Sequence, residues 1–436
     1  MERVFQRKLQ VNQEYDVLVA GGGPSGCAAA IAAARDGAKT LLIEGTGALG
    51  GMATLGGVPA WCPFSDKEKV IYKGLAEKIF RLTCADAKHI ASTDTDWVPI
   101  VPETLKRVLD ALVTEAGADL LFGTHLSAVE SADGNVDYVV LTNKDGLTAY
   151  KAKVYIDCTG DGDLAARAGA AFVNGDEENG DMQMATLCFT VANVDMYNFI
   201  YGESIYGGNQ NSPIRAMLSS GRYPHVTDAH MCASLLGPGV VGFNAGHVQG
   251  LDGTDALSLT KGYIAGRKEA RDIVDGLREF APESFGNAFL TATASLMGVR
   301  ETRRIIGDYV LTAEDYAARR SFPDEIGRCC YFIDMHSKGG SGENDKYPEY
   351  GAGESYGIPY RVLTPKGFGN LLTAGRAVSC DRRVLGSIRV MPPAMVTGEA
   401  AGAAAALAVQ SANIDVHTVD TSVLRENLRK HGAYFI

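Results

Sequence analysis

The chain has 436 residues, of which 46% are hydrophobic, and it carries a formal charge of -11 at pH 7. Binding to nucleic acid needs a basic face, so this acidic composition predicts no nucleic-acid partner and a small-molecule substrate instead. The sequence contains no uninterrupted apolar run of about 18 residues, and residues 1–14 are charged, so we expect no membrane span, no secretion signal and a cytoplasmic location.

The first predicted element is a strand, a glycine turn and a helix within residues 15–44. It opens with an apolar run typical of buried parallel strands, and Gly21, Gly23 and Gly26 then supply the spacing G-x-G-x-x-G before an alanine-rich helix. A second strand ends in Glu44, whose carboxylate can accept both hydroxyl hydrogens of a ribose. This context predicts an adenine-dinucleotide site, with FAD and NAD both open at this point.

The remaining elements alternate between helical and strand patterns. In chain order we predict a helix over 102–116, strands over 120–130, 136–142, 148–157, 184–192 and 240–249, a helix over 258–280, strands over 294–310, 328–335, 358–363 and 370–374, and a helix from near Pro393. The change of pattern near residue 172 and its reversal near 364 predict an inserted domain. Residues 1–171 and 364–436 would form a dinucleotide-binding domain, and residues 172–363 a substrate domain.

Six segments together resemble the FAD-dependent oxidoreductases of the glutathione-reductase-like superfamily, in the branch with one dinucleotide domain and an inserted substrate domain. The segments are EYDVLVAGGGPSGCAAAIAAARDGAKTLLIE, GALGGMAT, YIDCTGDGDLAARAGA, GVRETRRIIGDYVLT, IPYRVLTPKGFGNLLTAGRAVS and IRVMPPAMVTGEAAGAAAALA. The resemblance implies an α/β fold, a Rossmann-like three-layer FAD/NAD(P)-binding domain with an inserted α+β substrate domain. It also implies that the dinucleotide is FAD.

The resemblance assigns cofactor contacts to residues throughout these segments. They are Gly21, Gly23, Pro24, Ser25, Gly26, Glu44, Gly50, Gly51, Thr54, Leu126, Thr159, Gly160, Asp161, Gly375, Arg376, Pro393, Ala394 and Met395. Thr54 would offer a hydroxyl, and free amides near Ala394 and Met395 would point at the flavin N1 and O2 atoms. Arg376 stands where many relatives carry an acid, so its side chain would face phosphate or another partner.

Catalytic candidates are few. Arg389 precedes the flavin-facing helix and could fix a polar or anionic substrate. Arg300 lies in GVRETRR, and if that stretch is a strand, Arg300 and Arg304 share one face while Arg303 takes the other. The alternative for these three arginines is structural ion pairing. His247 is the preferred group for proton transfer among the histidines of the substrate domain, although a lone histidine is often structural.

The nine cysteines are scattered without C-x-x-C or metal-ligand spacing, which predicts no metal. No second glycine turn with strand and helix context occurs, so we expect no separate NAD(P)H domain.

The resulting hypothesis is an FAD-dependent dehydrogenase or oxidase that moves a hydride from a small polar metabolite to flavin N5. The alternatives are a flavin-dependent reductase of an activated double bond and an FAD subunit of an electron-transfer complex. The electron acceptor and the oligomeric state, a homo-oligomer included, stay open.

Overall fold

The computed structural model describes residues 8–91, 93–176, 180–337 and 347–436. The strands are β1 Val11–Asn12, β2 Val17–Ala20, β3 Thr40–Ile43, β4 Asp119–Leu121, β5 His125–Ala132, β6 Asn135–Asn143, β7 Gly146–Tyr150, β8 Val154–Asp157, β9 Phe172–Asn174, β10 Phe189–Ala192, β11 Met231–Gly237, β12 Val240–Ala245, β13 Phe289–Thr293, β14 Arg303–Ile305, β15 Glu325–Cys329, β16 Tyr356–Pro359 and β17 Leu371–Thr373. The helices are α1 Pro24–Arg35, α2 Leu75–Ala85, α3 Pro102–Glu115, α4 Asp163–Ala168, α5 Met196–Tyr201, α6 Pro213–Ser220, α7 Ala256–Phe280, α8 Pro282–Phe285, α9 Ala313–Ala317, α10 Arg382–Ile388, α11 Met391–Gln410 and α12 Thr421–Lys430. Across these described ranges, none of the helices is both long and apolar enough to cross a membrane.

A five-stranded parallel sheet in the order β17-β8-β2-β3-β4 forms the centre of the fold. Successive side chains of a strand point to opposite faces, so β2 contributes side chains to two hydrophobic cores. Val17 and Val19 pack with α1, α3 and α11, whereas Leu18 and Ala20 pack with Val139 and other residues of the β5–β7 hairpins. The helices, the parallel sheet and the β5–β7 hairpins form three layers. This arrangement confirms the predicted Rossmann-like α/β fold.

A second, antiparallel sheet has the order β11-β12-β10-β13. Helix α7 covers one face of it, because Ala270, Ile273, Val274 and Leu277 form a buried stripe at helical spacing. Asp255 caps this helix by accepting a hydrogen bond from the Ser258 N–H. The strands β11 and β12 form a hairpin whose open end points toward the cavity described below.

The predicted helices over 102–116 and 258–280 are confirmed within two residues. The predicted strand over 294–310 is largely wrong, because only Arg303–Ile305 forms a strand. Main-chain groups before it bond elsewhere: the Ser295 N–H donates to the Leu55 carbonyl, and Gly298 pairs with Thr186. The predicted strand over 328–335 ends at Cys329, because the Cys330 N–H donates to the Tyr72 hydroxyl instead of to a strand. Non-local partners therefore overrode the local strand pattern.

Helices α1 and α11 approach each other more closely than side chains would allow. A Cβ atom added to Gly398 would lie 2.1 Å from the Ser25 carbonyl oxygen, and one added to Gly402 would lie 2.1 Å from that of Ala29. The alanines around these glycines keep both helices slim. This contact brings the N-termini of both helices to one side of the parallel sheet.

We expect Gly402→Ala to destabilise the protein by about 1–3 kcal/mol, because a methyl group forces the two helices apart. Helix propensity alone would change stability in the opposite direction by about 1 kcal/mol, so the sign of the effect tests the close approach. The measurement is the denaturant midpoint of unfolding. Gly237→Ala is the matched control, because its Cβ would meet no described atom within 4 Å. Equal midpoints for the two variants would contradict the proposed contact.

Candidate active site

One large cavity of about 1400 Å³ runs from the turn between β2 and α1 to the antiparallel sheet. Pockets for a single drug-sized ligand usually enclose about 300–1000 Å³, so this cavity has room for a dinucleotide and a second molecule. Its wall changes in character along its length. The glycine turn and Glu44 line one end, and Arg300, Arg389 and Asp334 line the other.

The glycine turn forms the first end of the cavity. Gly21 has φ +95°, and a Cβ there would lie 2.5 Å from the Cys158 carbonyl oxygen, so another residue would be strained and crowded. Gly26 permits close packing, since its Cβ would overlap the Gly21 carbonyl oxygen. A Cβ added to Gly23 would meet no described atom within 4 Å, so space remains beside its main chain for a pyrophosphate. The geometry of the three glycines thus fits a dinucleotide turn.

Glu44 stands at the end of β3 and lines the same end of the cavity. Its Oε2 atom accepts a 2.7 Å hydrogen bond from the Gly22 N–H, and Oε1 accepts one of 2.7 Å from the Thr46 N–H. Each carboxylate oxygen keeps a further lone pair, so the held carboxylate can still accept the hydroxyls of a ribose. This open glycine turn and fixed acceptor pair fit the adenosine half of FAD.

The predicted site residues divide into two groups. Those that line the cavity are Gly21, Gly23, Pro24, Ser25, Glu44, Gly51, Leu126, Thr159, Gly160, Arg300, Gly375, Arg376, Arg389 and Ala394. Those that do not line it are Gly26, Gly50, Thr54, Asp161, His247, Pro393 and Met395. The second group supports the first through hydrogen bonds and packing.

Two of these supporting residues correct the predicted cofactor contacts. The Thr54 hydroxyl donates a 2.7 Å hydrogen bond to the Leu49 carbonyl, so it stabilises the glycine loop from behind. The Asp161 carboxylate accepts hydrogen bonds from the Thr302 hydroxyl at 2.8 Å and from Arg376 Nη2 at 2.7 Å. Gly50 acts in a similar way, because its N–H donates to the Gly22 carbonyl at 2.8 Å.

The start of helix α11 also differs from expectation. The helix begins at Met391, and Pro392 and Pro393 carry no N–H. The Ala394 N–H already donates to the Val390 carbonyl at 3.1 Å, so the predicted free amides near Ala394 and Met395 are wrong. Of the first three positions, only Met391 has an N–H, and Met391 lines the cavity. Any main-chain donor of this turn to a flavin is therefore at Met391.

Arg376 connects three segments of the cavity wall. Its Nε atom donates to the Gly160 carbonyl at 2.7 Å, Nη1 donates to the Val299 carbonyl, and Nη2 pairs with Asp161. The guanidinium thus has protein partners on each nitrogen. The predicted alternatives for Arg376 were phosphate or another partner, and the structure favours another partner, namely these protein groups.

Three arginines of GVRETRR have three different environments. Arg300 is buried in the cavity wall, where Nη1 donates to the Met184 carbonyl at 2.7 Å and to the Thr186 hydroxyl at 3.0 Å. Arg304 is fully buried against Glu301 at 2.6 Å, and Arg303 pairs with Asp163. The prediction that Arg300 and Arg304 share a strand face is wrong, because the strand begins only at Arg303. Arg303 and Arg304 confirm the structural alternative.

Arg389 reaches the charged end of the cavity from the residue after α10. Its Nη2 atom donates to the main-chain carbonyl of Asp334 at 2.9 Å and lies 3.4 Å from the Asp334 carboxylate. Its Nε atom is buried and has no hydrogen-bond partner among the residues that the structure describes. The buried Nε–H of Arg304, which does not line the cavity, is equally unpaired, so this feature does not by itself indicate a ligand.

Burial and like charge reduce the affinity of Arg300 for its proton. Burial, followed by the charge of Arg389, lowers the pKa of Arg300 to about 10. Burial by itself would raise the pKa of Asp334, yet the hydrogen bond from His336 and the two guanidiniums hold that pKa below its usual value. The end wall therefore presents the guanidiniums of Arg300 and Arg389 beside the Asp334 carboxylate, and Arg300 and Asp334 are ionised near neutral pH.

Three histidines meet behind and beside this carboxylate. His336 Nε2 lies 3.1 Å from Asp334 Oδ1, and its Nδ1 lies 2.9 Å from His247 Nε2. His247 Nδ1 in turn contacts Asp228 Oδ2 at 2.7 Å, and the His230 ring stacks on that of His247 at 4.2 Å. His230 and His336 line the cavity, whereas His247 is only 8% exposed and lies behind them. The preferred base, His247, therefore does not reach the cavity surface.

All three imidazoles favour the neutral form. Burial and then the charge of Arg300 lower the pKa of His336 to about 3 and hold the pKa of His230 well below its usual value. Burial is also the largest cause of the lowered pKa of His247, although Asp228 opposes it.

Sequence patterns did not single out His230, His336 or Asp334. A partial signal existed, because the pairing of Met231 with Ala245 across the β11–β12 hairpin places residues 230 and 246 side by side. His247 directly follows residue 246, so it could have been matched with His230 once the hairpin was recognised. His336 and Asp334 come from a distant irregular segment, which has no comparable signal.

Comparisons with known proteins identify the family. A family model described as FAD dependent oxidoreductase matches residues 16–428. Dihydrolipoyl dehydrogenase of Trypanosoma brucei brucei is 52% identical over 48 residues, which are 11% of this chain and 10% of that protein. 3-oxosteroid 1-dehydrogenase of Comamonas testosteroni is 42% identical over 57 residues, which are 13% of this chain and 10% of that protein. The chain thus spans about a tenth of the length of the curated relatives it matches.

Among solved structures, p-nitrophenol 4-monooxygenase from Pseudomonas putida DLL-E4 is similar with a TM-score of 0.50 and 11% identity, over 96% of this chain and 84% of that one. This likeness shows a shared fold. The family match covers nearly all of the chain and agrees with the glycine turn, Glu44 and the cavity between them. The chain belongs to the FAD dependent oxidoreductase family, and its cofactor is FAD.

Proposed function

We propose that this FAD-dependent oxidoreductase is a dehydrogenase or oxidase that removes a hydride from a small polar metabolite. We further propose a place in the glutathione-reductase-like superfamily, with residues 1–171 and 364–436 holding FAD and residues 172–363 forming the substrate domain. The observation that carries the functional proposal is the pair of guanidiniums, Arg300 and Arg389, that line the charged end of the cavity. Such groups bind the oxygen atoms of a polar or anionic substrate.

The residues at the first end of the cavity would hold the cofactor. Gly23 would leave the main chain open to the pyrophosphate, and Glu44 would accept the ribose hydroxyls. Leu126, Thr159, Gly160 and the other lining residues named above would surround the remainder. When bound, FAD supplies an acceptor for a hydride at its N5 atom.

The residues at the second end would bind and orient the substrate. Arg300 and Arg389 place two guanidiniums on one wall, which favours a substrate with a carboxylate, carbonyl or hydroxyl oxygen. Their positions are held by Met184, Thr186 and Asp334, so little side-chain order has to be gained on binding.

The thiols in the wall do not favour thiol–disulfide chemistry. Burial raises the pKa of Cys62 to about 12 and that of Cys188 to about 12, so both remain protonated near neutral pH. The thiolate is the reactive form of cysteine, so these side chains act as small apolar groups. This supports direct transfer between the substrate and the flavin.

The experiment that tests the function is anaerobic mixing of the oxidised protein with hydroxy acids, polyols, sugars, amino acids and amines, while the flavin absorbance is followed. We expect an oxygen-rich, anionic member of the panel to bleach the flavin band. If no member bleaches it and the chemically reduced protein is reoxidised by enoates, the proposed direction of electron flow is wrong.

Arg389→Gln is expected to raise the substrate concentration for half-maximal bleaching roughly tenfold to hundredfold, as expected for loss of a hydrogen bond to a charged group. The FAD content should stay that of the parent. Arg361→Gln is the matched control, because Arg361 pairs with Asp324 and does not line the cavity. An unchanged half-maximal concentration for Arg389→Gln would remove Arg389 from the substrate site.

Glu44→Gln is expected to weaken FAD binding by roughly tenfold or more. The amide nitrogen of glutamine donates a hydrogen bond at a position where a carboxylate oxygen of Glu44 accepts one from a main-chain N–H. The measurement is the quenching of FAD fluorescence on titration into protein stripped of the cofactor. Glu130→Gln, an exposed acid on β5, controls for the change in net charge. Equal affinities in parent and Glu44→Gln would contradict the ribose assignment.

A further inference from the structure

The three histidines beside the cavity come from three separate places in the chain. His230 precedes β11, His247 follows β12, and His336 lies in the segment after β15. One ring nitrogen from each histidine lies within 4.8 Å of those of the other two. The shortest of these contacts, between His247 Nε2 and His336 Nδ1, measures 2.9 Å. The three rings thus share one small volume at the end of the cavity.

The second ring nitrogen of each histidine faces a group that can only accept a hydrogen bond. His230 Nδ1 faces the Gly246 carbonyl at 3.2 Å, and His247 Nδ1 faces the Asp228 carboxylate at 2.7 Å. His336 Nε2 faces the Asp334 carboxylate at 3.1 Å. These partners require a hydrogen on each outer nitrogen. A neutral imidazole carries one N–H, so the nitrogens left over all present lone pairs.

The contact between His247 and His336 therefore brings two lone pairs together. A cation coordinated by both nitrogens would satisfy these lone pairs.

We infer that His230, His247 and His336 form a binding site for one divalent first-row transition-metal ion. Neutral imidazole is a ligand for zinc, copper, iron and nickel. Histidine ligands almost always donate their other ring N–H to a carboxylate, a carbonyl or water, and Asp228, Gly246 and Asp334 supply these acceptors. Three imidazoles leave at least one coordination position for another ligand.

Two of the three histidines reach the cavity, because His230 and His336 line its wall together with Arg300 and Asn244. An oxygen atom of a substrate held by the two guanidiniums could therefore complete the coordination. This part of the inference rests on the proposed function, whereas metal binding itself does not. Asp228 next to His247 and Asp334 in the cavity wall add two negative charges beside the ligands, which offset the charge of Arg300.

A metal site departs from the sequence-based expectation of no metal. That expectation rested on the spacing of the cysteines, whose thiols do not take part here. The ligands are histidines whose proximity arises from a hairpin and a distant loop.

The test is a titration of the chelator-treated, FAD-containing protein with Zn²⁺, in competition with a chromophoric chelator, together with metal analysis of the protein as purified. We expect the parent to bind about one zinc ion per chain, as a three-histidine site does. His247→Ala and His336→Ala should reduce binding to background. Asp228→Asn keeps all three ligands and should weaken affinity by about 10–100-fold, because it loses the carboxylate that orients His247.

His225→Ala is the matched control, since His225 contacts Asp272 at the surface of the same region and lies outside the cluster. Its zinc binding should equal that of the parent, and the flavin absorbance of every variant reports correct folding. The inference is overturned if the parent binds zinc no more tightly than His247→Ala, or if His225→Ala weakens binding as much. If the alanine variants lose FAD, the inference is judged from the number of zinc ions that the parent binds and from the zinc affinity of Asp228→Asn. Zinc binding without bleaching by any substrate would uphold the metal site and reject only the proposed function.

Discussion

The close contact between helices α1 and α11 is the constraint on which the rest of the structure depends. Gly398 and Gly402 let α11 lie directly against the main chain at Ser25 and Ala29. Because interiors are packed at crystal-like density, one extra methyl group at this contact would have to move a helix. The contact places the first turn of α1, which follows the glycine turn, against the interior of α11. The glycine turn and Met391 at the start of α11 both line the cavity.

The charged end of the cavity depends on a second constraint, which is that buried charges need partners. The arginines near the cavity find such partners among protein groups: Arg304 pairs with Glu301, Arg376 with Asp161 and two carbonyls, and Arg389 with Asp334. The buried Nε–H groups of Arg304 and Arg389 both lack a partner in the described part of the chain, so an unpaired donor does not by itself mark a binding wall. Position separates the two arginines, because Arg389 lines the cavity and Arg304 does not.

Much of the fold could be predicted because it rests on short-range rules. The glycine turn, Glu44, the long helices and the parallel strands follow from local periodicity and from the backbone conformation that glycine permits. Predictions failed where a distant partner competed for the same main-chain groups. The segment before Arg303 bonds to Leu55 and Thr186 instead of forming a strand, and Thr54 turns its hydroxyl to Leu49. Local patterns carry no information about such partners.

The sequence by itself determined the family and the cofactor, because the glycine turn and Glu44 are neighbours in the chain and their spacing is dictated by the ligand. Tertiary structure alone decided the charged end of the cavity. Asp334 and His336 come from one irregular segment, and they meet there with Arg389, which follows α10, and with the β11–β12 hairpin. Their chemistry depends on distances of about 3 Å between groups that no local pattern relates, and on burial that sets their protonation. Only the folded chain sets both the distances between these groups and their protonation states.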